Sequence, residues 1–390
     1  MKMKSLYTPI LFLAFAIATV GSYTSCAEED LPNNGDPRIR YVRITDPLSA
    51  DSLLIGAGQG NLIAIMGENL GDAREIWFND RQAVLTTTYI TNTTILVSVP
   101  SLVPLDITNQ MRIVFANGNT LEHEFEVQIS EPFVNSINNE YALTGEVATI
   151  RGNYFYEPLT VTFTGGAVGE LVSVEDDILE VRIPEGAQAG PITVETNFGR
   201  TPSDFWFRDG RNIVLSSDPF TGWWDAAFVV SDPGAGDPPA INGNYIRVTR
   251  AISGWAWTQV AGGPADAMGD ISKNIPDEAI LKPEDYYLKF EINTVKPYNN
   301  NMIKFNFGLP SEVNDAYQWA PPFDTKGQWQ TVAIPYEVVM QSYKDLGITP
   351  VVNPDGYWTR ILIHGGGDLD CDIAFDNFRI VPKIDENKDE

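Results

Sequence analysis

Asn61-Leu62-Ile63-Ala64-Ile65-Met66-Gly67-Glu68-Asn69-Leu70 is answered about 85 residues later by Val147-Ala148-Thr149-Ile150-Arg151-Gly152-Asn153-Tyr154-Phe155. Both stretches run an apolar segment into a Gly-containing polar turn that ends on a large apolar residue. The match extends outward on both sides. Phe78 in Glu75-Ile76-Trp77-Phe78 falls on Phe163 in Thr160-Val161-Thr162-Phe163, and Thr94-Ile95-Leu96-Val97-Ser98-Val99-Pro100 falls on Asp177-Ile178-Leu179-Glu180-Val181-Arg182-Ile183-Pro184. Met111–Gly118 likewise answers Pro191–Gly199. Each block alternates apolar and polar residues between Gly, Pro or Asn, which is the pattern of short antiparallel strands and turns. The period predicts two tandem β-sandwiches, at 38–130 and 131–209.

After Asn212 the repeat stops and the aromatic content rises: seven of the nine Trp lie there. Strand-like runs occur at Tyr245–Thr249, Tyr287–Asn293, Met302–Leu309, Trp329–Pro335, Trp358–Ile363 and Ile373–Val381, with one short helix at Pro335–Leu346. The expected fold class is therefore all-β: two immunoglobulin-like sandwiches, then a larger β-sandwich or jelly roll at 210–382, with a flexible tail at 383–390.

At the other end, Lys2 and Lys4 precede an apolar run from Ile10 to Val20, and Ser22, Thr24 and Ser25 lead to Cys26. This is the layout of a secretory leader over residues 1–25, too short to span a bilayer. A Cys directly after such a leader resembles the lipidated Cys of a bacterial lipoprotein, with Tyr23 standing where Leu is usual. The following Ala27-Glu28-Glu29-Asp30 resembles the signal that sends Bacteroidetes lipoproteins to the outer face of the outer membrane, and 26–37 reads as a Pro/Asn/Gly tether. With Cys26 acylated, Cys371 has no disulfide partner.

Composition narrows the function. With 52 Asp+Glu against 26 Lys+Arg, the formal charge is −26, and no basic run exists to neutralise phosphates, so nucleic acid is not an expected partner. His123 and His364 are the only imidazoles, which forbids an all-His zinc site. No GxSxG, HExxH or GxxxxGK[ST] string occurs, and Gly56-x-Gly58-x-Gly60 lacks the spacing and helix of a nucleotide loop.

What the C-terminal domain does carry is aromatic pairs beside Gly, Pro and amides, in stretches that read as loops rather than clean strands. They are Gly222-Trp223-Trp224-Asp225, Gly254-Trp255-Ala256-Trp257-Thr258-Gln259, Ala316-Tyr317-Gln318-Trp319-Ala320-Pro321-Pro322 and Asp355-Gly356-Tyr357-Trp358. Exposed aromatic faces next to amides suit the flat, weakly apolar faces and hydroxyl rims of a neutral polysaccharide. Trp255, Trp257 and Trp319 are expected to be exposed and to stack on sugar, with Gln259 and Gln318 reading hydroxyls. Tyr317, Trp223, Trp224 and Trp358 are further candidates. If extended, the Trp223-Trp224 pair points to opposite faces, so only one joins a given platform. Trp329, Phe305, Phe307, Phe375 and Phe378 are expected to be core.

Asp368, Asp370 and Asp372, with Asp376 beyond, could gather around a structural Ca²⁺, although Ile373 stands where an EF-hand loop has Gly; a solvated acidic turn is the plainer reading. No cofactor is otherwise expected. Two other functions stay open: a glycoside hydrolase using two carboxylates, and an adhesin whose terminal domain presents an apolar patch to a protein.

The Val-x-Val/Ile-Pro strand ends and Gly-Asn turns of the repeat resemble the IPT/TIG immunoglobulin-like family. Joined to the leader, the acidic start and a Trp-rich domain ending in Ala374-Phe375-Asp376-Asn377-Phe378-Arg379-Ile380, the chain resembles the B-type surface glycan-binding proteins of Bacteroidetes polysaccharide utilisation loci. The C-terminal part resembles their xyloglucan-binding domain. The resemblance implies a non-catalytic, outer-membrane lipoprotein that binds plant β-glucan and works beside a TonB-dependent importer and its partner surface lipoprotein.

Overall fold

A side chain at Gly67 would run into the carbonyl oxygen of Arg38, and one at Gly152 into that of Phe133. Both glycines lie where the preceding strand is bulged, between Ile39 and Tyr41 in one module and between Val134 and Ser136 in the other. The repeat thus keeps a glycine where two backbones touch, and then buries Leu70 or Phe155 beneath the turn. The computed structural model describes residues 35–46, 48 and 52–384. The leader, Cys26, the acidic residues after it and most of the tether lie outside the described residues, as do residues 385–390.

The first module packs a sheet ordered Leu53–Leu54, Arg38–Ile44, Leu62–Glu68 and Thr94–Ser98 on one ordered Arg81–Gln82, Ala73–Phe78, Gln110–Phe115 and Thr120–Glu124. Ile65, Ile76, Phe78, Ile113 and Phe125 fill the space between them. The second module repeats the plan. Phe133–Ile137, Val147–Asn153, Ile178–Arg182 and Glu170–Val174 face Leu159–Phe163, Gly190–Thr196 and Gly199–Phe207 over Ile150, Phe163, Leu179 and Phe207. The chain divides into two compact units, one ending at Ile129 and one starting at Ser130.

Within the second unit, the module is locked to the C-terminal domain by buried charge. Glu140 accepts hydrogen bonds from Lys289 Nζ (2.5 Å) and Arg379 Nη2 (2.6 Å), and Arg379 Nη1 donates to Glu291 at 2.8 Å. Arg379 also lies 5.3 Å from the centre of the Tyr141 ring. The Glu140 amide donates to Thr331 Oγ1 and the Thr331 amide to the Asn138 carbonyl, both at 2.8 Å. Removing one partner of such a network strands a charge out of water, so the two domains are held in one orientation.

The C-terminal domain is a sandwich of two sheets. The larger has six strands, ordered Val229–Val230, Tyr245–Ile252, Leu369–Pro382, Tyr286–Thr294 and Gln330–Pro335, with Ile213–Leu215 pairing to the far half of the central strand. The smaller is ordered Thr258–Gly263, Trp358–Ile363, Ile303–Leu309 and Tyr317–Trp319. Between them lies a core that includes Phe290, Phe305, Phe307, Phe375 and Phe378. Trp329 is also buried, edge-on to Tyr245, with its indole N–H donated to the Pro239 carbonyl. The helix Tyr336–Asp345 closes one end of this core; the Tyr343 hydroxyl accepts from the Phe307 amide at 3.1 Å. Cys371 is buried with a free thiol, which burial pushes up to about 12.

Candidate functional site

The strand Trp358–Ile363 organises the outer face of the smaller sheet. Ile361 and Ile363 face the core. The period of two therefore turns Trp358, Arg360, Leu362 and, just past the strand, His364 outward. Register brings Gln259 and Lys304 beside Leu362, Asn306 beside Arg360, and Gln318 beside Lys304. Gln259 and Gln318 thus share one face.

Two aromatic groups stand at the ends of this face. At one, Trp257 lies 4.8 Å and Trp255 5.5 Å, centre to centre, from His364, and the Arg360 guanidinium is 5.7 Å from the centre of the Trp257 ring. Trp255 is 67% and Trp257 47% exposed. Trp255 has φ 61°, an uncommon left-handed value for a bulky residue. It is held there by its amide bonded to the Gly365 carbonyl at 2.6 Å, and by the Gly254 amide bonded to Asp368 Oδ1 at 2.7 Å. At the other end Trp358 meets Trp223 and Trp224 at 5.8 and 6.2 Å. The two ends are roughly 20 Å apart, six residues of extended chain.

Between them the floor is mostly polar and charged; Arg360, Asn306, Lys304 and the apolar Leu362 are buried in it, and Gln318 is exposed. Lys304 donates to Asp315 at 2.7 Å, and Arg360 pairs with Glu312 and donates to the Val313 carbonyl at 2.8 Å. Burial lowers the Arg360 pKa from its ordinary value, and the Lys304 ammonium holds the Asp315 carboxyl below the usual carboxylate range. Gln259 Oε1, Asn306 Oδ1, Trp358 Nε1 and His364 Nδ1 on this face are buried without a hydrogen-bond partner. Unsatisfied groups cost about 1–3 kcal/mol each, and native folds keep few of them. Beside Trp358 opens a cavity of about 590 Å³ lined by Asp266, Asp270, Lys273, Ser311 and Asp355 among others.

Several expectations need correction. Trp319 is core: it is 6% exposed, stacked on Tyr298 at 5.7 Å and flanked by Phe290 and Phe323. The segment Tyr317–Trp319 is an edge strand rather than a loop. Its alternation turns Gln318 out and sends Tyr317 inward, half-buried against Phe305. Trp223 and Trp224 do not split between faces, because the chain there is not a strand. It bends at Asp225 (φ 55°), and both amides point at the Gly262 carbonyl, so both rings reach Trp358. The acidic run does not converge either: Asp368 holds the Gly254 amide, Asp370 pairs with Lys296 and Asp372 with Arg247. Among the described residues no group of three or more His, Cys, Asp or Glu side chains converges on one point.

Arg360, Asn306, Lys304 and His364 were missed in the sequence, although counting by twos from Trp358 reaches Arg360 and His364.

The profile of the surface glycan-binding protein B xyloglucan binding domain matches residues 207–382. The C-terminal domain is thus similar to the xyloglucan binding domain of the surface glycan-binding proteins of the B type. In fold, the surface glycan-binding protein PbSGBP-B of Prevotella bryantii is similar, with a TM-score of 0.70 at 23% identity, over 90% of this chain and 99% of that one. A second B-type structure, from a complex xyloglucan utilization locus in Bacteroides uniformis, is 17% identical with a TM-score of 0.47, over 89% of this chain and 100% of that one. An IPT/TIG domain-containing protein of Bacteroides ovatus is 28% identical over 165 residues, 40% of this chain. The match spans about a third (33%) of that curated relative's length.

Proposed function

We propose that the chain is a non-catalytic surface lipoprotein that captures a neutral plant β-glucan, xyloglucan or a close relative, on the outer face of the smaller C-terminal sheet. One observation carries this reading: exposed Trp faces stand at both ends of an extended polar floor, in the domain that the xyloglucan-binding profile matches. Trp255 and Trp257 stack on sugar faces at one end, Trp223 and Trp358 at the other, and Gln259 and Gln318 meet hydroxyls between them. Trp224 sets Trp223 and Trp358 in place. An extended β-linked chain laid along the sheet would contact both ends.

A hydrolase reading has less to stand on. Glu312 and Asp315, the carboxylates on this face, are occupied by Arg360 and Lys304, and Asp315 is held ionised. A general acid needs a proton at neutral pH, hence the opposite shift. In this reading the modules at 38–130 and 131–209 are spacers, Cys26 carries the lipid that holds the protein on the outer membrane, and the captured glycan passes to a TonB-dependent importer and its partner lipoprotein.

The test is affinity electrophoresis of the chain from residue 27 in gels holding xyloglucan, mixed-linkage β-glucan, laminarin, galactomannan or starch, with reducing ends assayed on the same mixtures. Retardation by xyloglucan or mixed-linkage glucan without new reducing ends is expected. No retardation by any gel refutes glycan capture, and new reducing ends refute the non-catalytic role.

A further inference from the structure

The outer face of the six-stranded sheet buries more acid than base. Beyond the Arg247–Asp372 pair, Glu140, Glu291 and Asp376 are buried there against Lys289 and Arg379. Glu140 takes Lys289 and one terminal nitrogen of Arg379. Glu291 takes both terminal nitrogens of Arg379 and the Thr331 hydroxyl. Both cations are thereby committed, and the surplus carboxylate is Asp376, directly across the strand pair from Glu291. Like charges so placed repel.

Asp376 is 6% exposed. Its Oδ1 accepts the Asn377 amide at 2.8 Å, and its Oδ2 has no partner. Burial and the neighbouring Glu291 push its pKa well above the ordinary carboxylate value. An uncompensated buried carboxylate costs several kcal/mol, so something must neutralise it.

The side chain lines a cavity of about 410 Å³ that it shares with Ser216, Ser217, Asp218, Asn242 and Asn377. Asp218 offers a second carboxylate. It accepts the Asn244 amide at 2.9 Å, keeping lone pairs for another partner, and a side chain at Gly243 (φ 79°) would collide with it. Asn242 Nδ2 donates to Asn377 Oδ1 at 2.6 Å, so the Asn377 oxygen is engaged and its Nδ2 has no acceptor. Ser216, Ser217, Asp218 and Asp376 bring hard oxygen donors, with no imidazole or thiolate beside them, and the opening leaves room for waters. That set selects a hard divalent cation, and Ca²⁺, with six to eight flexible oxygen ligands, over Mg²⁺ with its strict octahedron.

We propose that this cavity is a calcium site, with the Asp376 and Asp218 carboxylates as its charged ligands. A cation there neutralises the surplus acid behind the glycan-binding sandwich and ties the 216–218 loop to the central strand. The site is separate from the acidic run at 368–372, whose carboxylates are engaged elsewhere.

The experiment is calorimetric titration of the chelator-treated chain with CaCl₂, alongside thermal melts in CaCl₂, in MgCl₂ and in chelator. One site per chain and a saturable upward Tm shift are expected, with a smaller shift in MgCl₂, and both responses are lost in D218N and D376N. Asp218 is exposed, so D218N keeps the fold and reports on ligation even if D376N does not. Absence of a calcium response in the parent chain overturns the proposal and leaves a proton as the neutralising species. So does an undiminished response in D218N.

Discussion

Trp257→Ala is the sharpest perturbation of the glycan face. An aromatic side chain carries roughly 200 Å², and Trp257 is 47% exposed, which leaves about 100 Å² accessible. A sugar lying on one face of the ring covers about half of that, and at about 25 cal/mol per Å² the ~50 Å² contributes about 1.3 kcal/mol. That is roughly tenfold in Kd. Trp255 is more exposed, at 67%, and the same reasoning gives a slightly larger loss, on the order of fifteenfold. Both rings lean on His364, so the double variant should not show the simple product of the two losses. The assay is calorimetric titration with a xyloglucan oligosaccharide, paired with a melting curve. Arg360, which Trp257 partly covers, keeps Glu312, Val313 and Asn314 as partners, so the Tm should barely move. An affinity within about twofold of the parent, at unchanged Tm, would refute stacking at this end of the face.

Trp319→Ala should behave in the opposite way, lowering stability by about 3–5 kcal/mol as for other buried aromatics, because Trp319 stacks on Tyr298 inside the core; chemical denaturation measures it, and a stable variant with lost binding would refute the core assignment. Glu140→Gln should cost about 3–5 kcal/mol by stranding Lys289 and loosening Arg379, and limited proteolysis should then cut between the second module and the C-terminal domain; an unchanged unfolding midpoint and an unchanged digest would show that the network is not what joins them. Gly262→Ala should lower stability by about 1–3 kcal/mol and shift the Trp fluorescence, since Gly262 has φ 115° and an added Cβ there would meet the Thr359 carbonyl, pushing Trp223 and Trp224 from Trp358. Glycan affinity should fall with it, and normal fluorescence and affinity would contradict the docking at Gly262.

How much of this could be read in the sequence depends on the range of the interaction that fixes each part. The repeat was readable because Gly67 and Gly152 answer a backbone constraint that recurs wherever the same bulge recurs. The long strands of the C-terminal domain were readable because a run such as Tyr286–Thr294 alternates core-facing Leu288, Phe290 and Ile292 with polar Lys289, Glu291 and Asn293. Tyr317–Trp319 was misread because three residues are too few to show alternation, and the following Ala-Pro-Pro looks like a loop. Only pairing with Ile303–Phe305 tells Trp319 to face inward. The same limit governs the binding face. Its floor follows from one strand and could have been counted out from Trp358, but its aromatic ends are set by contacts between distant segments: Asp368 holding the Gly254 amide beneath Trp255, and the Gly262 carbonyl receiving Trp223 and Trp224. Aromatic loops therefore identify a platform by their number, while their membership is decided by which backbone groups, far along the chain, are free to hold them.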